Sequence, residues 1–264
     1  MRIILFVATL LIVSSTIVSC TSTFDRYNPT VFPFQYEKER VEKNAIRKVV
    51  LAPVSIGAPV GSHLKSGERR TKSLVKKYLR KNGYEILPNY VFENAWEQAI
   101  RTYGNVYDPT TGRINVNAWR SAMVAVGEKL RKETNADAII FADVIEHEIT
   151  HNIGSKHSAR WYGVTRKPSM QGVSGGVPVD FNWNQTLKGA SLQVAIFDIQ
   201  NLERLFTSFG GLDTLQEINL RNSGVGAGYI RRKKLLANDD KVEQGIEIAF
   251  HPFIEMKNYP GIKE

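Results

Sequence analysis

Five residues near the middle of the chain have the types and spacing of a metal-dependent hydrolase. His147, Glu148, His151, Gly154 and His157 form the pattern H-E-x-x-H-x-x-G-x-x-H. On a helix, the first two histidines would lie one turn apart and could share a Zn²⁺ ion at about 2 Å, with the glutamate as general base. On a strand, four residues span roughly 13 Å, which is too far for two imidazoles to share one ion. The local secondary structure therefore decides whether this pattern is a zinc site.

The residues before the pattern favour a strand. Residues 136–144 are almost continuously apolar, and no Gly, Pro or Asn lies between Phe141 and His147 to end a strand and cap a new helix. Beyond His147, the apolar Ile149 and Ile153 alternate with polar residues, as in a strand that leaves the core. We therefore predict a strand with the histidines in its polar tail, and no bound cofactor. Zinc remains the alternative.

The first twenty residues have the features of an export signal. Arg2 precedes an apolar run over residues 3–13, which is shorter than the roughly 20 residues of a membrane-spanning helix. The sequence Ile17-Val18-Ser19-Cys20 resembles the lipobox of bacterial lipoproteins, in which signal peptidase II cleaves before the cysteine. The resemblance implies that residues 1–19 are a signal peptide and that a diacylated Cys20 is the lipid-attachment site of the mature chain.

The residue after the lipobox bears on localisation. Thr21, rather than Asp, follows Cys20, and enterobacterial sorting then favours the outer membrane. We predict a lipid-anchored protein on the periplasmic face of the outer membrane. Cys20 is also the single cysteine of the sequence, which excludes an intramolecular disulfide.

The chain is basic, with a formal net charge of +9. Two clusters supply much of this charge: Arg69, Arg70, Lys72, Lys76, Lys77, Arg80 and Lys81, and then Arg231, Arg232, Lys233 and Lys234. Nucleic acid is the usual partner of such basicity, but an exported, lipid-anchored chain rarely meets it, so we predict no nucleic-acid partner. Besides the membrane that holds the anchor, envelope proteins or a cell-wall polymer are the expected partners, and a solvated helix face is the simplest alternative.

Hydrophobic periodicity predicts a mixed β-sheet flanked by helices, in the α/β class. The expected interior strands are residues 49–54, 138–144 and 192–197, with a hairpin partner at 205–209. The expected helices begin near residues 66, 92, 117 and 242. We assign residues 20–45 to a tether, 46–254 to a single α/β domain and 255–264 to a C-terminal tail.

Three sequence phrases carry a family resemblance. They are KVVLAPVSI with the helix that follows it, LRKETNADAIIFADVIE, and GASLQVAIFDIQNLERLFTSFGGL. Their order resembles that of the periplasmic α/β lipoproteins related to the curli secretion lipoprotein CsgG and the TolB N-terminal domain. The resemblance covers roughly residues 46–250 and implies the same mixed sheet. Because we identify no nucleophile triad and no phosphate loop in the sequence, and favour a strand over a metal site, we predict a non-catalytic binding or scaffolding role in the cell envelope.

The zinc pattern carries a competing resemblance. The phrase HEITHNIGSKH is similar to the HExGHNxGxxH phrase of adamalysin-like metzincins, with Thr150 where those proteases have Gly. This resemblance implies a zinc metallopeptidase in which His147, His151 and His157 bind the metal and Glu148 is the general base. We favour the non-catalytic envelope protein, because the third predicted helix ends only about a dozen residues before the pattern and a strand occupies them.

Overall fold

A computed structural model describes most of the chain after the signal and lipobox. The described residues are 33–56, 61–108, 110–111, 113–149, 151–152, 158–171, 186–219 and 228–256. Cys20 and His157 lie outside these ranges, and His151 is described for its backbone alone. Within the same ranges, no helix combines the length and the apolar character that crossing a bilayer requires.

A six-stranded mixed sheet forms the centre of the fold, in the spatial order β1-β10-β9-β4-β2-β3. Its strands are β1 (Phe34–Tyr36), β2 (Lys48–Leu51), β3 (Glu85–Ile86), β4 (Ala138–Ile149), β9 (Leu187–Asp198) and β10 (Arg204–Thr214). Strand β2 is parallel to β3 and β4, whereas β4, β9, β10 and β1 pair in antiparallel fashion. The predicted mixed sheet is confirmed, and β2, β4 and β9 are interior strands as expected.

Five α-helices cover the two faces of this sheet in the described part of the chain. They are α1 (Lys38–Asn44), α2 (Lys65–Lys81), α3 (Asn89–Tyr103), α4 (Val116–Glu133) and α5 (Asp239–Phe250). Asn115 and Asn238 cap α4 and α5 by accepting hydrogen bonds from backbone N–H groups of the first turn. A short 3-10 helix, Ser62–Leu64, leads directly into α2.

The side chains of β4 alternate between two hydrophobic cores. Ile140, Ala142 and Val144 pack with α2 and α5, whereas Ile139 and Phe141 pack with α3 and α4. Because successive side chains of a strand point to opposite faces, the next residues along β4 continue this alternation beyond the helices.

Two small sheets extend the fold past one end of the central sheet. One contains β5 (His151–Asn152), β6 (Ser158–Trp161) and β7 (Val164–Arg166); the other contains β8 (Met170–Gln171), β11 (Gln216–Asn219) and β12 (Gly228–Arg231). Strands β6 and β7 form a hairpin whose turn residues Tyr162 and Gly163 both have positive φ. Sequence periodicity did not predict the second small sheet, since its strands are only two to four residues long.

The second half of the predicted tether is folded. Residues 34–44 form β1 and α1, and the backbone N–H of Glu37 donates to the Leu205 carbonyl oxygen at 2.9 Å. The Tyr36 ring meets Phe206 edge-on, with 5.9 Å between ring centroids. These contacts join the segment to β10, so the described fold includes residues that we had assigned to the tether.

Candidate functional site

The described part of the zinc pattern lies on strands, while Gly154 and His157 fall outside the described residues. His147 and Glu148 belong to β4, where they pair with Gly189 and Lys188 of β9, and His151 belongs to β5. The metzincin alternative requires a helix at this point. The structure does not meet that requirement, because all twelve residues of β4 are paired with β9. Among the described residues, no three metal-ligating side chains converge.

The imidazole of His147 is held in a chain of hydrogen bonds. Its Nε2 lies 2.7 Å from the Ser191 hydroxyl oxygen, which also accepts a hydrogen bond from the Trp161 indole N–H at 3.0 Å. Its Nδ1 lies 3.3 Å from the backbone carbonyl oxygen of Glu148. A single tautomer gives every polar group in this chain a partner: the serine hydroxyl donates to Nε2, and Nδ1–H donates to the carbonyl oxygen. Burial lowers the pKa of His147, which favours the neutral imidazole that this arrangement needs.

A serine hydroxyl bonded to a histidine is also the nucleophile–base pair of many hydrolases. Ser191, however, is 0% exposed in the middle of β9, and its oxygen already has two partners. The ring of Tyr162 lies 5.1 Å from the His147 ring, and it stacks in turn on Phe209 at 5.0 Å. The geometry therefore joins β4, β9 and β6 and leaves no approach for a substrate carbonyl to the hydroxyl.

The two basic clusters of the sequence meet in space. The 3-10 helix and the first turns of α2 form one side of a groove of about 440 Å³, which we call the basic groove, and the end of β12 with the residues after it forms the other side. It is lined by His63, Ser66, Gly67, Arg70, Arg231, Arg232, Lys233, Lys234, Leu235, Leu236 and Ala237. Six of these side chains are basic and none is acidic.

Half of the basic side chains in the groove have acidic partners. The pairs are Arg70 with Asp239 at 2.6 Å, Arg232 with Asp213 at 2.7 Å and His63 with Glu146 at 2.8 Å. In the described part of the chain, no carboxylate lies within salt-bridge distance of the remaining three, Arg231, Lys233 and Lys234, and all three are exposed. The basic groove therefore holds about three uncompensated positive charges.

A close contact between Leu236 and α2 fixes the groove. Leu236 is fully buried and has a positive φ of 50°. It packs on Gly67 in the first turn of α2, where an added Cβ would lie only 3.0 Å from the leucine Cδ1. The missing side chain lets the segment of residues 231–237 approach the helix closely. The sequence shows a glycine within the predicted helix and two leucines after the second basic cluster, but it does not indicate that these residues contact each other.

A buried ionic cluster lies beneath the same segment. Asp213, which is 1% exposed, accepts from Arg232 at 2.7 Å and from Lys241 at 3.0 Å. Arg166 donates to the Leu212 carbonyl oxygen at 2.8 Å and to the Gln244 side chain at 2.6 Å. Burial lowers the pKa of Arg166 to about 10, but this value is still well above neutral pH, and the guanidinium therefore stays charged. This cluster ties β7, β10 and α5 together.

Among known proteins, the chain has matches to solved structures only. No family model and no curated protein matches the chain. Lipoprotein GNA1162 from Neisseria meningitidis matches with a TM-score of 0.33 and 14% identity over 68% of this chain and 88% of that chain. The PelC dodecamer from Paraburkholderia phytofirmans matches with a TM-score of 0.32 and 10% identity over 82% and 92%, respectively. At these TM-scores the likenesses carry no conclusion about family or function.

Proposed function

We propose that this chain is a lipid-anchored protein of the bacterial cell envelope that acts by binding rather than by catalysis. The observation that carries the binding role is the basic groove, in which three exposed cationic side chains lack an acidic partner among the described residues. An anionic partner could supply the counter-charge that these side chains lack, and a groove concentrates their positive potential.

The anchoring part of the proposal rests on the lipobox at residues 17–20. Two or three acyl chains on Cys20 would give durable attachment, whereas a single chain gives marginal binding. Thr21 supports the outer membrane as the destination, and we propose its periplasmic face as the side of attachment. The structured domain would then be connected to the bilayer by a short tether.

The His147 cluster supports binding over catalysis. Its imidazole, its serine and its indole satisfy one another, and the hydroxyl oxygen is inaccessible. A hydrolase built on these residues would have to open the packing between β4, β9 and β6 before each turnover. The arrangement is that of a buried polar network that fixes strand positions.

Mass spectrometry of the mature chain tests the anchor. The N-terminal peptide should begin at Cys20 and carry the mass of two or three acyl chains, and a Cys20→Ser variant should retain residues 1–19 without acylation. An unmodified Cys20, or a wild-type chain that keeps residues 1–19, would refute lipid anchoring.

Photo-cross-linking in intact envelopes tests the binding role. A photoreactive residue at position 234 in the basic groove should give specific adducts, while the same probe at Lys132 on the exposed surface of α4 should not. Purified chain incubated with a peptide library provides the opposing readout. Hydrolysis that disappears in a Glu148→Gln variant would show that the chain is a peptidase.

A further inference from the structure

We propose that the basic groove docks onto phosphate-bearing lipid headgroups at the surface of the membrane that holds the anchor. This inference rests on the lipid anchor of the proposed function and names the partner that the groove binds. It is carried by the charge of the groove, by its position relative to the first strand, and by the length of the intervening chain.

The charge of the groove fits a phosphate group. Arg231, Lys233 and Lys234 contribute about three positive charges that no described carboxylate balances. Guanidinium and ammonium groups are the usual protein ligands of phosphate oxygens. The groove is open to solvent, and its volume of about 440 Å³ is in the range of small-ligand sites. A headgroup can therefore enter it without movement of the surrounding elements.

The position of the groove fits a membrane-facing surface. Strand β1 is antiparallel to β10, with Phe34 opposite Ser208 and Tyr36 opposite Phe206. The chain therefore enters β1 from the end of β10 that leads to Asp213. Asp213 binds Arg232, which lines the groove. The entry of the chain and the basic groove thus lie toward the same end of the central sheet.

The length of the intervening chain limits how far this end can lie from the bilayer. Cys20 and Pro33 are 13 residues apart. Thirteen residues span at most about 45 Å when fully extended. An anchor at this distance holds the groove at a high effective concentration of headgroups, so weak individual contacts suffice. A polymer elsewhere in the envelope has no comparable advantage, which is why we assign the groove to the lipid surface.

The expected strength follows from the number of free cations. Near an anionic bilayer, each Lys or Arg contributes about a fivefold increase in surface binding, and the effect decays within a Debye length of about 8 Å. Replacing one of the three should therefore weaken docking by about fivefold, and raising the salt concentration should weaken it further.

The test uses the full lipidated chain reconstituted on vesicles. One set contains phosphatidylcholine alone, and the other contains phosphatidylcholine with phosphatidylglycerol. Flotation on the neutral vesicles reports the anchor itself. The rate of lysine acylation by a water-soluble reagent, measured by peptide mass spectrometry, reports docking. We expect Lys233 and Lys234 to react several-fold more slowly on the anionic vesicles, with Lys132 on α4 unchanged.

An Arg231→Gln variant sharpens this test because it leaves both reporter lysines in place. It should weaken docking by about fivefold and so restore most of the lysine labelling on anionic vesicles. Arg120→Gln on α4 should have no effect. The matched control is also an exposed arginine, but it lies on the opposite face of the sheet.

Three outcomes would overturn the inference. The first is equal labelling on both vesicle types when the chain floats on both. The second is protection on neutral vesicles by inorganic phosphate alone, which would assign the groove to a free anion. The third is protection by a soluble anionic polymer without anionic lipid. Failure to float on neutral vesicles would instead refute the lipid anchor, so the two proposals fail separately.

Discussion

Glu146 and His147 are adjacent on β4, yet they lie on opposite sides of the sheet in opposite kinds of environment. Glu146 pairs with His63 at the edge of the basic groove and with Lys188 at 3.0 Å. His147 bonds to the buried Ser191 beneath Tyr162. His147, which belongs to a recognisable motif, is half-buried and bonded to a fully buried serine, while the three groove cations that belong to no motif are exposed. The two sides therefore differ in how their polar groups are paired, with hydrogen bonds to buried neutral groups on one side and ion pairs beside exposed cations on the other.

The two environments also differ in how they treat charge. Partial burial acts to raise the pKa of Glu146, but hydrogen bonds from Lys188 and His63 outweigh it and lower that pKa, so the carboxylate stays ionised. On the other side, burial lowers the pKa of His147 and outweighs the hydrogen bond to the Glu148 carbonyl, which acts to raise it. The Glu146 side of the strand therefore holds ions, and the His147 side holds neutral hydrogen-bonding groups.

The largest effect is expected where a groove arginine has a buried partner. Asp213→Asn would remove the counter-charge of both Arg232 and Lys241. We expect a loss of about 2–4 kcal/mol in the free energy of unfolding, measured by urea denaturation, because breaking a buried ion pair leaves charge uncompensated. Asp239→Asn, which removes the exposed partner of Arg70, should leave the unfolding curve unchanged. Equal effects of the two changes on the unfolding free energy would show that burial does not distinguish these two ion pairs.

A smaller loss of stability is expected from Ser191→Ala, which removes the hydroxyl bonded to His147. The change leaves His147 Nε2 and the Trp161 indole N–H without their partner, which costs about 1–3 kcal/mol in unfolding free energy. Ser66→Ala in the basic groove is the matched control, since that hydroxyl is exposed. A Ser191→Ala variant of unchanged stability would show that the network does not hold the strands together.

The smallest effect is a pH dependence carried by His147. Its pKa is lower in the folded state than in the unfolded chain, so the unfolded chain binds more protons below about pH 6.5. Stability from this group is complete above that pH and decreases as the pH falls toward the folded pKa. His251 acts in the same direction because burial also lowers its pKa. A His147→Gln variant should therefore lose less stability between pH 7.5 and 5.5 than the wild type; an identical loss would exclude this contribution.

The sequence predicted the interior of the sheet well, and the reason is physical. Residues in β2, β4 and β9 are buried on both faces, so they appear as nearly continuous apolar runs. The extension of β4 through His147 to Ile149 was also predicted, from alternation and from the missing helix-start signals. Segments stabilised by a few tertiary contacts, such as β1 and α1, were assigned to the tether because β1 has only three residues and α1 is dominated by charged residues.

The basic groove could not be predicted from the sequence. Its two sides lie about 160 residues apart, and their approach depends on Leu236 packing against Gly67. Both basic clusters were noted as charge, but ionic partners such as Asp213 and Asp239 decide which cations remain open. Such pairings depend on tertiary contacts that no local pattern encodes.

The measurement that tests this account most directly is the zinc content of the purified chain. If His147 serves as a strand residue bonded to Ser191, the protein should carry no stoichiometric zinc after mild dialysis, and a His151→Ala variant should give the same value. About one zinc ion per chain, lost in that variant, would contradict the account. It would mean that residues near His147 can rearrange into a metal site, and that the chain is a metallopeptidase rather than an envelope binding protein.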